Sequence, residues 1–99
     1  MPKAYWIAHV EITDPQRYSL YAAGATEAFR TYGGRPLARG GAVEALEGRV
    51  RPRNVIIEFE SREAALRCYR SPEYQAARQH REGAAVLELM ILDGLDEAP

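Results

Sequence analysis

Val86-Leu87-Glu88-Leu89-Met90-Ile91-Leu92 decides the fold of this chain. As a strand it turns Leu87, Leu89 and Ile91 to one face and Val86, Glu88, Met90 and Leu92 to the other. Three of the four residues on the second face are apolar, so both faces need cover. A small two-layer α/β sandwich covers only one face of its sheet with helices. The simplest cover for the other is a second copy of the same sheet. The expectation is a homodimer with a cavity between two sheets.

Working outward, the remaining elements alternate in a recognisable order. Tyr5 to Ile12 reads as a strand with Trp6, Ala8, Val10 and Ile12 on one face. Its other face carries Tyr5, Ile7, His9 and Glu11. Asp14 and Pro15 start a helix, the first as a cap and the second as a first-turn residue. Tyr18, Tyr21, Ala22, Ala25, Phe29 and Tyr32 form its apolar stripe, and Gly33-Gly34 ends it. Gly24 weakens this helix or lets it approach the sheet closely.

Arg35 to Arg39 is a short strand, interrupted by Gly40-Gly41 and resumed over Ala42 to Glu47. The glycine pair suggests a bulge. Gly48 to Pro52 is a turn, and Asn54 to Glu60 a strand with Val55, Ile57 and Phe59 on one face. Ser61 caps a short helix through Tyr69, and Ser71-Pro72 starts another through Glu82, closed by Gly83. Ala84 to Asp93 is the last strand, and 94–99 reads as a frayed tail. The order βαββαβ is that of a ferredoxin-like α+β plait with a four-stranded antiparallel sheet.

Length and composition narrow the function classes. Ninety-nine residues are one domain, with its core at about 3–93, and too few to make the lone subunit very stable. A net charge of −1 argues against a general electrostatic grip on nucleic acid. Arg49, Arg51 and Arg53 alone do not change that, and read as a solvated turn or dimer rim. The single cysteine, Cys68, excludes an internal disulfide and a cysteine metal cluster, which suits the cytoplasm. No signal-peptide core opens the chain and no run reaches membrane-spanning length, so no membrane partner is expected.

Several runs are distinctive in combination: Tyr5-Trp6-Ile7-Ala8, Thr13-Asp14-Pro15, Tyr32-Gly33-Gly34, Ala38-Arg39-Gly40-Gly41, Glu47-Gly48, Arg51-Pro52-Arg53 to Ile57-Glu58-Phe59, and Tyr69-Arg70-Ser71-Pro72-Glu73-Tyr74-Gln75. Together they resemble the bacterial domain of unknown function (DUF) family 1330 over roughly residues 3 to 93. The resemblance implies a dimeric α/β barrel. Related barrels include cofactor-independent monooxygenases, isomerases, haem-dependent enzymes and stress-associated proteins without known chemistry.

The sheet face away from the helices is the place for chemistry. By alternation it holds Tyr5, Ile7, His9, Glu11, Asn54, Ile56, Glu58, Val86, Glu88 and Met90, with Arg35, Leu37 and Arg39 expected to join them. An apolar wall with a few polar groups suits a small ligand. Arg39 is the expected anion anchor, gripping a carboxylate or enolate at two points. The plainer alternative is an ion pair with Glu58 or Glu47. Glu58, set between Ile57 and Phe59, is a general-base candidate or a simple salt-bridge partner. His9 is a proton shuttle or a hydrogen-bonded interface residue.

Tyr5 and Asn54 would contact ligand from the same face. Tyr69 and Tyr74 flank the Ser71-Pro72 break, either at a pocket mouth or locking the kink. Trp6, Tyr18, Tyr21, Phe29 and Tyr32 read as core, and Cys68 as a buried, inert thiol. His9 and His80 show no metal-ligand spacing, so no metal and no cofactor are expected. The functional expectation is a dimeric pocket for a small, partly apolar, anionic compound. It would be a cofactor-independent isomerase or monooxygenase, or else a non-catalytic structural or stress-associated dimer.

Overall fold

A computed structural model describes residues 2–96. Strand β1 (Ala4–Ile12) runs through the middle of a four-stranded antiparallel sheet. It pairs on one side with β3 (Arg53–Phe59) and on the other with β4 (Ala85–Asp93). Strand β2 (Arg35–Arg39) lies outside β3, giving the order β2-β3-β1-β4. Helices α1 (Pro15–Thr31), α2 (Arg62–Arg70) and α3 (Pro72–Arg81) cover one face. This is the ferredoxin-like α+β architecture that the element order implies.

Local chemistry sets the helix boundaries. The Asp14 carboxylate accepts from the Arg17 amide at 3.2 Å, satisfying a free first-turn donor. Ser61 does the same for Ala64 at 3.1 Å. Ser71 serves two helices at once. Its hydroxyl donates to the Cys68 carbonyl at 2.7 Å and accepts from the Tyr74 amide at 3.1 Å. Extended backbone at Ser71 with Pro72 behind it turns what would be one helix into two.

The core is aromatic. Trp6, buried to 1% exposure, meets Phe29 edge-on with centroids 5.2 Å apart and Tyr74 at 4.9 Å. Phe59 stacks on its other side at 6.0 Å. Such ring pairs contribute beyond their buried area. Gly24 does permit a close approach, but to α3 rather than to the sheet. A Cβ there would lie 2.7 Å from that of Ala77.

Two expectations about the middle of the chain are corrected. The strand does not resume after Gly40-Gly41, and 41–52 is a long connection without strand pairing. The register shift sits between Pro36 and Ala38, at Leu37, and not at the glycine pair. Gly40 instead ends the strand with a positive φ of 73°, and the Arg53 guanidinium fills the space a Cβ would need. Gly94, expected in the frayed tail, is tied to the sheet's edge: its amide donates to the Lys3 carbonyl at 2.7 Å. Residues 97–99 of that tail lie outside the described residues.

Candidate functional site

Cross-strand register reads the uncovered sheet face row by row. Tyr5 lies between Leu92 and Glu58, with Arg35 beyond Glu58. Ile7 lies between Met90 and Ile56. His9 lies between Glu88 and Asn54, and Glu11 beside Val86. An apolar row thus separates two polar ends. Val86, Met90 and Leu92 are each about half exposed, at 51%, 49% and 51%. Their cost in water is the sheet's unmet need for cover.

At the first end, the Tyr5 hydroxyl donates to Glu58 Oε2 at 3.2 Å, and Lys3 Nζ lies 3.6 Å from Oε1. Glu58 is therefore a partnered carboxylate. The second end is richer. Asn54 Nδ2 donates to the Arg51 carbonyl at 3.0 Å, which fixes the side-chain amide. Its Oδ1 then accepts from His9 Nδ1 at 2.7 Å. That geometry puts the proton of the neutral imidazole on Nδ1 and leaves Nε2 as the acceptor.

The connection 40–52 forms an arch beside this end. Val43, Arg49, Val50 and Arg51 from the connection line an open concavity of about 770 Å³ with His9, Glu11, Asn54 and Glu88 from the sheet. A two-point clasp holds the arch down. Arg51 Nε donates to Glu88 Oε1 at 2.8 Å and Nη2 to Oε2 at 2.7 Å. Its Nη1 reaches Glu11 at 3.5 Å. The Arg51 hydrogen bond holds the Glu88 carboxyl below its ordinary range. No carboxylate pairs with Arg49 among the described residues.

The expected site residues therefore divide. His9 and Asn54 meet directly, and Tyr5 meets Glu58 two rows away. Arg39 does not join them. The bulge at Leu37 reverses the alternation of β2, so Arg39 falls opposite Val55 and points to the helix side. There its Nη1 donates to Thr26 Oγ1 at 3.4 Å, and it pairs with neither Glu58 nor Glu47. Leu37 itself has no partner in the register, and Ala38 takes the place opposite Ile56.

Tyr74 is fully buried on the helix side, sharing a 2.8 Å hydrogen bond with the Tyr21 hydroxyl. It locks the kink rather than lining a mouth. Tyr69 stands over Trp6 at 5.9 Å, also on the helix side. Burial pushes the Cys68 thiol up to about 12. Sequence reasoning missed the arch: Val43, Arg49, Val50 and the Arg51 clasp. The odd-numbered arginines of 49–53 looked like one solvated run, but Arg53 turns back over the Tyr18 ring at 5.6 Å. Among the described residues no group of three or more His, Cys, Asp or Glu could hold a metal ion. No helix of the described residues is long and apolar enough to cross a membrane.

The model of a domain of unknown function, DUF1330, matches residues 3–95. No curated protein matches the chain. A protein of unknown function from Rhodopseudomonas palustris is similar in structure, with 24% identity and a TM-score of 0.77 over 96% of this chain and 84% of that one. SnoaB, a cofactor-independent oxygenase from Streptomyces nogalater, is 10% identical with a TM-score of 0.69, over 100% and 99% of the two chains. A dimeric protein of unknown function and ferredoxin-like fold from Bacteroides fragilis is 11% identical with a TM-score of 0.57, over 93% and 96%. At these identities the likeness is one of fold.

Proposed function

The chain belongs to the DUF1330 family, and from that premise we propose that it binds a small, partly apolar, anionic compound in a pocket completed when two copies pair sheet to sheet. The observation that carries this reading is the chain of bonds from the Arg51 carbonyl through Asn54 to His9. It orients an imidazole at the wall of a concavity of about 770 Å³ and presents Nε2 as a proton acceptor.

In this reading His9 removes an acidic C–H proton. That step is shared by isomerisation and by cofactor-independent oxygenation of an easily ionised compound. Arg49 takes the anchoring role expected of Arg39, because it lines the concavity without a carboxylate partner. Val43 and Val50 supply apolar wall. Glu58 with Tyr5 is a second proton-transfer pair at the far end of the face. On the helix side, Tyr74 acts as a packing residue, Arg39 is exposed, and Tyr69 lines a separate groove. The dimeric Bacteroides fragilis protein and the oxygenase from Streptomyces nogalater support the pairing and the chemistry by likeness of fold.

Native mass spectrometry of freshly purified protein tests the reading. A two-chain mass carrying a retained small molecule is the expected result. That molecule then serves as substrate for wild type and His9→Gln, with turnover lost in the variant and retention kept. A clean two-chain mass favours a structural dimer without turnover. A monomeric mass at micromolar concentration overturns the pocket altogether.

A further inference from the structure

The opposite side of the sheet has its own opening. Helix α1 packs along α3, and the nine-residue α2 is the helix that meets edge strand β4. The inner row of β4 is consequently only partly buried. A groove of about 410 Å³ runs between α2, α3 and β4, floored by Trp6, Leu87 and Leu89 and walled by Leu66. Its size lies within the usual range for small-molecule pockets, about 300–1,000 Å³.

Arg78 and Arg81 of α3 line this apolar groove. Neither guanidinium pairs with a carboxylate among the described residues. Arg81 Nη1 donates to the Tyr74 hydroxyl at 2.9 Å, and its guanidinium lies 5.0 Å from the centre of the Tyr21 ring. Arg78 reaches only the Gln75 side chain, at 3.3 Å. Its Nε is buried without any hydrogen-bond partner. A cation drawn out of water without a counter-charge is costly, and an arriving anion removes that cost. Apolar floor and unpaired guanidinium together specify the ligand.

We propose that this groove is a second binding site, for an amphipathic carboxylate. The hydrocarbon part covers Leu66, Leu87 and Leu89, and the carboxylate meets Arg78 and Arg81. Apart from Met90 at its edge, its lining comes from the helices, Trp6 and the inner row of β4, and it shares no residue with the His9 concavity on the other sheet face. It needs no second copy of the chain.

Trp6 is the only tryptophan, so its fluorescence reports on the groove floor. The intact protein is titrated with octanoate, octan-1-ol and octylammonium. Octanoate should give a saturable change, octan-1-ol should bind about tenfold or more weakly, and octylammonium should not bind. Arg78→Gln should bring octanoate down to the affinity of the alcohol. If that variant fails to fold, the three probes on the native chain still decide. Amide shift changes in a ¹⁵N spectrum should fall on Leu66, Arg78 and Leu89. Equal affinity for octanoate and octan-1-ol, or shifts gathered on His9, Asn54 and Glu88 instead, would overturn the proposal.

Discussion

The proton position on His9 follows from two hydrogen bonds that share one amide. Because Asn54 Nδ2 is taken by the Arg51 carbonyl, only Oδ1 faces the imidazole. A ¹⁵N spectrum recording the His9 ring should show the neutral form protonated at Nδ1. In Asn54→Ala the ring should exchange between tautomers, at a stability cost of about 1 kcal/mol. Two adjacent glycines offer a second test. Gly40 has a φ of 73° and Arg53 packed where a Cβ would stand, whereas Gly41 has open space around it. Gly40→Ala should cost about 1–2 kcal/mol in a urea melt. Gly41→Ala should stay within about 0.5 kcal/mol of wild type. Both glycines were legible as a break in β2. Which of the two carries the strain was not, because a backbone angle depends on where Arg53 lands.

Between elements, the junction of α2 with α3 rests on Ser71, 4% exposed and bonded to both helices. Ser71→Ala should lower stability by about 0.5–2 kcal/mol, measured by thermal unfolding. Packing of α1 on α3 brings the Tyr21 and Tyr74 hydroxyls together. Burial, above all, holds both phenols above their ordinary value of 10.0. The folded state therefore keeps protons that the unfolded chain releases. Their contribution is complete below pH 10 and declines as pH rises above it, by at most about 1.4 kcal/mol per pH unit for each group. Alkaline unfolding of wild type should be steeper than that of Tyr21→Phe, and equal slopes would refute the argument. The serine-proline break was readable from two residues. The tyrosine pair was not, since its members lie 53 positions apart on different helices.

Across the whole molecule, the uncovered sheet face carries the proposed dimer. Met90→Glu puts a charge in its apolar row and should halve the mass measured by light scattering. Leu20→Glu, at a comparably exposed apolar position on α1, should leave the mass unchanged. Element order, strand faces and the apolar core around Trp6 could all be read from periodicity. Alternation with period two assigns a face without reference to any partner, so Tyr5, His9, Asn54 and Glu58 fall together as their positions demand. Arg39 shows where that logic stops. One extra residue at Leu37 reverses the phase, and Pro36 beside it fits a plain edge strand as well as a bulge, so the local sequence does not decide between them. The arch beside His9 stops it too. Its position depends on Arg51 finding Glu88, a pairing of residues 37 apart on separate elements. Short-range periodicity thus sufficed for the helices and for β1, β3 and β4 with their faces, and failed in β2 and the connection after it. The arch, the second groove and the split among the arginines came only with folding, because each depends on long-range contacts that no local pattern encodes.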